Sequence, residues 1–276
     1  MSDVLIMVAP NGARRTRADH PALPVTPGDL AATAAACHRA GAGAIHVHIR
    51  DAGGRHVLDA GLYRETVAAI RGEAGEDLVI QITSEAVGRY TPAEQQALIL
   101  ALAPPAVSIA VREMFADGEP ASFFAWMRER AIAVQHILYD SADVRWFADL
   151  RRRGVIQDEA PRLLYVLGRY AAGEESDPAD LEPFLAVAEE EGLSGMPWSV
   201  CAFGRGETAS LAAALRYGGH VRVGFENSLW HEDGRVALDN AERIAAIAEV
   251  ARGLGRVPVD GAAARILLGV TRTQGP

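Results

Sequence analysis

The stretch Ala44-Ile45-His46-Val47-His48-Ile49-Arg50-Asp51 decides how the rest of the chain is read. It has the composition of a buried β-strand, with two histidines one residue apart. Successive side chains of a strand alternate faces, so His46 and His48 project to one side while Val47 and Ile49 pack on the other. At a rise of ~3.3 Å per residue their Cα atoms lie about 6.5–7 Å apart, a spacing from which two imidazoles can converge on one divalent cation. A pair of satisfied core histidines is the competing reading. Two polar rings on one face are costly to bury without a shared partner, which favours the metal. A third ligand must then come from elsewhere.

Outward from this strand, short apolar runs alternate with alanine-rich amphipathic helices. The other runs are Val4–Ala9, Leu78–Thr83, Ala106–Val111, Ala131–Tyr139, Arg162–Leu167, Pro197–Ala202 and Val221–Phe225. Helices are expected from Thr26-Pro27 to about Ala40, over Leu58–Arg71, and from Thr91-Pro92 to just before Pro104. Further helices are expected over Ser122–Arg130, Ser141–Arg153, Asp177–Glu191, Glu207–Tyr217 and Asp239–Leu254. Thr26 and Thr91 each precede a proline, the signature of an N-cap with proline at the first helical position, and Glu94 is placed for a capping box. Eight strand-then-helix units predict an α/β fold, a single (β/α)8 TIM barrel over residues 1–276. A doubly wound sheet is the runner-up, but Asn11-Gly12-Ala13 is a poor match to the glycine-rich loop that such a sheet carries after its first strand.

With 276 residues, 49% hydrophobic and 23% charged, the composition is that of a soluble globular protein. The net charge of −9 speaks against a nucleic-acid partner. No apolar run approaches a membrane span, and the opening MSDVLIMVAPNGARR is read as a strand rather than a signal peptide. Two cysteines, Cys37 and Cys201, make no disulfide framework, so a cytoplasmic location is expected.

In such barrels the catalytic groups sit at the C-terminal ends of the strands. The eighth strand closes on the first and so lies two steps from the histidine strand, roughly 10 Å at ~4.8 Å per step. Its end, Gly219 through Asn227, contains Glu226, the natural third ligand. Two imidazoles and one carboxylate with an open position make a common catalytic zinc arrangement, although manganese or iron(II) would tolerate the same ligands. A metal-dependent barrel hydrolase and a metal-stabilised, non-catalytic barrel are the other readings. The hydrolase would need later ligands, for which His136 is the one candidate.

These pieces, taken together, resemble the β-keto acid cleavage enzymes, the family of 3-keto-5-aminohexanoate cleavage enzyme. The matching segments are Leu23-Pro24-Val25-Thr26-Pro27, His46 to Asp51, Gln81-Ile82-Thr83, Val166-Leu167-Gly168, Phe203-Gly204-Arg205 and Gly218 to Glu226. The resemblance implies a zinc-binding (β/α)8 barrel, a homo-oligomer such as a tetramer. It implies an activity that condenses a β-keto acid with acetyl-CoA, giving acetoacetate and a new acyl-CoA. Carried over, the zinc ligands are His46, His48 and Glu226. Arg222 is the residue beside the reacting centre; its even offset from Glu226 is expected to keep both facing the interior of one strand. Thr83, Ser84 and Ser108 match hydroxyl residues that meet substrate. Gly204 and Arg205, opening a helix, suit an anion such as CoA phosphate.

Three positions depart from the family pattern. The family often has an aspartate directly after the metal-binding glutamate, and here it is Asn227, expected to orient Arg222 by hydrogen bonding. The fifth strand carries Gln135-His136-Ile137 in place of glutamates, leaving His136 as either a proton-handling group or a core histidine. Arg14 replaces an acid that would meet a substrate amino group, so the expected substrate is a dicarboxylic β-keto acid such as 3-oxoadipate.

Overall fold

A computed structural model of the chain describes residues 2–271. Its elements run β1 Ser2–Val4, β2 Ile6–Val8, α1 Pro27–Ala40, β3 Ala44–Val47, α2 Ala60–Ala74, β4 Val79–Thr83, α3 Pro92–Leu102, β5 Ala106–Ala110, α4 Val111–Met114 and α5 Ala121–Glu129. They continue with β6 Ala133–Leu138, α6 Ser141–Arg152, β7 Arg162–Leu167, α7 Glu182–Glu190, β8 Trp198–Ala202, α8 Glu207–Arg216, β9 His220–Val223, α9 Asn240–Gly253, β10 Arg256–Pro258 and α10 Gly261–Leu268. Strands β2 to β9 form a closed parallel barrel in chain order, with β9 pairing back on β2. The expected (β/α)8 architecture is therefore the one observed.

Local chemistry sets the helix ends. At α1 the Thr26 hydroxyl accepts from the Asp29 N–H while the Asp29 carboxylate accepts from the Thr26 N–H, with Pro27 at the first helical position. Thr91 and Glu94 repeat the arrangement at α3. The outward faces of the strands, with Ile6, Val8, Ile45, Val47, Ile80 and Ile82, pack against Leu30, Ala34, Tyr63 and Ile247 of the helices. This strict alternation turns His46 and Gln81 into the barrel.

Two parts of the architecture lie outside the eight repeating units. The run expected as one strand over Val4–Ala9 is split: β1 pairs with β10 in a separate two-stranded sheet, and only β2 enters the barrel. The C-terminal helix α10 brings Ala264 and Leu268, followed by Val270, under Leu5, Met7, Ala44, Val79 and Ala106, closing the barrel at the N-terminal ends of its strands. Among the described residues no helix is long and apolar enough to cross a membrane.

Tyr63 on α2 ties the fold to the strand that carries His46 and to its neighbour. Its hydroxyl, fully buried, lies 2.9 Å from the Thr83 carbonyl and 3.2 Å from the Val47 carbonyl, spanning the ends of β3 and β4. Tyr63→Phe leaves those carbonyls without their donor and is expected to lower stability by about 1–3 kcal/mol while keeping the barrel folded. Urea titration followed by circular dichroism measures this; an unchanged midpoint would show that the hydroxyl carries no such role.

Candidate active site and metal centre

His46 is the penultimate residue of β3, and His48 lies just beyond the strand's end. Both are about 1% exposed. The extended backbone continues past Val47, so both rings enter the barrel while Ile49 joins the outer core, as the alternation requires. Their Nε2 atoms face each other at 3.0 Å. Glu226 Oε2 lies 3.4 Å from His48 Nε2 and 3.8 Å from His46 Nε2.

Glu226 reaches this position differently from what the sequence spacing suggested. Strand β9 ends at Val223, and the chain turns at Gly224, with φ of +145°, before Glu226. Arg222 and Glu226 are thus not on one strand; the turn folds the carboxylate back so that Arg222 Nη2 donates to Glu226 Oε1 at 3.1 Å. From the other side the Asn11-Gly12 loop presses on Glu226. A Cβ on Gly12 would sit 2.6 Å from Glu226 Cγ, so only glycine fits there.

The three side chains suit a divalent ion. Their ligand atoms all lie within 4.8 Å of one another. Two donors on one tetrahedral ion with ~2.0–2.1 Å bonds are about 3.3 Å apart, the middle of the observed spread. His46 Nδ1 donates to Gln81 Oε1 at 2.9 Å, which leaves the Nε2 lone pair free. The Gln81 amide is fixed in turn, its Nε2 donating to Gln135 Oε1 and Gln135 Nε2 donating to Ser199 Oγ. His48 Nδ1 has Glu85 Oε2 at 3.6 Å. Burial, helped by the Arg222 charge, holds His46 well below its usual pKa and therefore neutral, the form that binds metal. For Glu226, burial alone would raise the pKa, but Arg222, His48 and His46 outweigh it and keep the carboxyl well below its ordinary range.

Around this centre the structure forms a pocket open to solvent, lined by His46, His48, Glu226, Thr83, Ser108, Glu85, Glu113, Tyr139, Arg169 and Arg222. Thr83 and Ser108 are brought together, with Ser108 Oγ donating to Thr83 Oγ1 at 3.4 Å. Ser84 is not among the lining residues: its carbonyl accepts from Gln95 on α3, and its buried hydroxyl makes no hydrogen bond. Arg222 is buried, yet its Nε and Nη1 have no partner. Burial opposes its charge, but Cys201 and Glu226 beside it keep the guanidinium protonated.

The expected Asn227–Arg222 hydrogen bond is absent. Asn227 is fully buried, and neither atom of its amide has a partner. His136 also stands apart from the site. It points outward from β6 between Phe124 and Phe147, neither ring nitrogen is hydrogen-bonded, and burial lowers its pKa to about 3. That settles it as a core histidine, while Gln135 takes the inward face. Arg14 is exposed and lines an adjoining cavity together with Arg15, Arg169 and Glu226. At Gly204-Arg205 the Arg205 N–H, expected to face an anion, donates to Glu175 Oε2 at 2.6 Å, and the Arg205 side chain lies over Trp230.

Gln81, quoted only as part of a matching segment, and Glu85 and Tyr139 were given no role from the sequence, although the signal existed. Gln81 and Glu85 flank Thr83 at even offsets, and Tyr139 stands two residues beyond Ile137, which also faces the cavity. Glu113 and Arg169 lie past their strands, where no periodicity locates them.

A family model for β-keto acid cleavage enzymes matches residues 3–270. The chain belongs to that family. Among its relatives, a 3-keto-5-aminohexanoate cleavage enzyme of Fusobacterium nucleatum is 28% identical over 93% of this chain and 94% of its own. A 3-oxoadipate:acetyl-CoA acetyltransferase of Cupriavidus necator is 24% identical over 96% and 94%. The fold of this β-keto acid cleavage enzyme family member is shared with ObcA, solved in a binary complex with oxaloacetate, at a TM-score of 0.74 and 16% identity over 91% of this chain and 68% of that one.

Burial, reinforced by Glu85, raises the Glu113 carboxyl from 4.5 to about 7. The folded state therefore keeps a proton that the unfolded chain releases. The stability this contributes is complete below pH 4.5 and is lost as the pH rises through about 7. Glu113→Gln lacks the titration. Its melting temperature is expected to gain on the wild type between pH 4.5 and 7, and a constant difference across that range would contradict the assignment.

Proposed function

We propose that the chain transfers the acyl group of a β-keto acid to coenzyme A, using acetyl-CoA and a zinc ion held by His46, His48 and Glu226. In this reaction the C2–C3 bond of the keto acid breaks and its acyl carbon ends on sulfur, while the carboxymethyl fragment takes the acetyl group and leaves as acetoacetate. The observation that carries the reading is Arg222: a buried cation with two unused donor nitrogens, in a cavity beside a three-ligand centre. When bound, the metal polarises the keto carbonyl and stabilises oxyanion charge. Arg222 holds the substrate carboxylate, since an always-protonated guanidinium orients an anion better than it accepts a proton. Thr83 and Ser108 offer hydroxyls to the same anion.

Acetyl-CoA is placed at the mouth, with Arg205 and the Gly204 turn on its phosphates. Because Glu175 already takes the backbone N–H there, the contribution rests on the Arg205 guanidinium. Arg205→Ala is expected to raise KM for acetyl-CoA several-fold with little change in kcat. Arg222→Gln is expected to lower kcat/KM about 100-fold or more with metal content unchanged. Acetyl-CoA consumption coupled to acetoacetate release, together with metal analysis of the purified protein, tests the whole reading. Product release by water alone would assign a hydrolase instead.

For the substrate, the exposed Arg14, free of any ion pair among the described residues, supports a dicarboxylic β-keto acid such as 3-oxoadipate. A second reading has its own observation: among the described residues Glu85 and Glu113 line the main cavity with no arginine or lysine paired to them, which favours a cationic distal group. Comparing turnover of 3-oxoadipate with 5-amino-3-oxohexanoate separates the two, and Arg14→Glu should shift the ratio toward the amine if Arg14 is the selector. A cytoplasmic homo-oligomer, a tetramer, completes the proposal. The absence of a disulfide between Cys37 and Cys201 among the described residues supports a reducing compartment, and light scattering reads the assembly state.

A further inference from the structure

The turn that carries Glu226 is held from behind by groups that reach neither the cavity nor solvent. Glu207, the first residue of α8, and Arg243, on α9, form an ion pair at 2.6 Å with both side chains 0% exposed. Glu207 Oε1 accepts from the Gly224 N–H at 3.3 Å. Asn240, the first residue of α9, accepts the next N–H, that of Phe225, on its Oδ1 at 2.9 Å and donates its Nδ2 to the Pro10 carbonyl. The Glu226 N–H goes to the Ala9 carbonyl, and Arg15 holds the Phe225 carbonyl at 2.6 Å from the other side.

A buried ion pair is costly to desolvate, and an apolar pair of similar volume would serve packing as well or better. What an apolar pair cannot do is accept a backbone N–H. Glu207 and Asn240 accept two consecutive ones, and those N–H groups set the peptide planes that aim Glu226. Gly224 leaves no slack, because a Cβ there would lie 2.5 Å from the Ala9 carbonyl and 2.8 Å from Asn240 Oδ1.

We propose that Asn240 and the Glu207–Arg243 pair are positioning residues for the metal carboxylate, setting the affinity of the centre through the turn rather than through contact with ion or substrate. This rests on the reading of His46, His48 and Glu226 as the metal centre. Partners that orient metal ligands typically change affinity about 10–100-fold when removed.

The test is zinc affinity, by competition with a chromophoric chelator, on wild type, Asn240→Ala, Asn240→Asp and Glu207→Gln, with thermal melts of the metal-free proteins alongside. Asn240→Ala is expected to stay folded and bind zinc about 10–100-fold more weakly. Asn240→Asp keeps the acceptor for Phe225 but not the donor to Pro10, so it should recover most of the affinity. Zinc bound by Asn240→Ala as tightly as by wild type, or as weakly by Asn240→Asp as by Asn240→Ala, would overturn the clamp and leave the metal centre standing. A wild-type protein that binds no zinc would remove the centre and the clamp together. Should Glu207→Gln fail to fold, the two Asn240 variants decide the matter.

Discussion

Everything in this molecule's upper half answers to one constraint: two imidazoles and one carboxylate must point at the same place from strands that are not neighbours. β3 and β9 are separated by β2, and only closure of the barrel brings them within reach. A slip of one residue in the register of β3 would turn His46 outward into the aliphatic layer of Ile45 and Val47. The apolar faces of β2 and β3 are therefore as necessary to this cluster as its three side chains.

The same logic explains the polar interior beneath the cavity. A chain of amides from His46 through Gln81 and Gln135 to Ser199 occupies ground that a purely structural barrel would fill with branched aliphatics. Each member is satisfied by the next, so the cost of burial is contained. Arg222 is not satisfied in this way: its Nε and Nη1 face the cavity region without a protein partner, donors that support the proposed carboxylate contact.

The sequence made the barrel readable because parallel strands buried on both faces appear as apolar runs, and capped helices announce their starts; all eight barrel strands lie where those signals place them. The pair β1 and β10 and the helix α10 were not anticipated, since they break the repeating unit that the eye follows. Strand periodicity correctly sent His46 inward, and applied to β6 it would have sent Gln135 inward and His136 out among the phenylalanines. Periodicity ends where strands end. Glu226 reaches its place through a turn, Asn227 leaves Arg222 alone, and the Arg205 N–H is claimed by Glu175 from a distant loop. Such contacts depend on loop paths that no local rule encodes.

The floor made by α10 has a last consequence. With Ala264, Leu268 and Val270 sealing one end, the barrel is, among the described residues, a blind well that opens at its top. In a reaction with two substrates and two products, all four must use one doorway. Under the proposed reaction, a keto acid held by Arg222 would arrive before the bulky thioester, and its acyl product would depart before a new turnover begins. Traffic through that doorway, rather than bond-making at its base, becomes a natural place for the rate to be set.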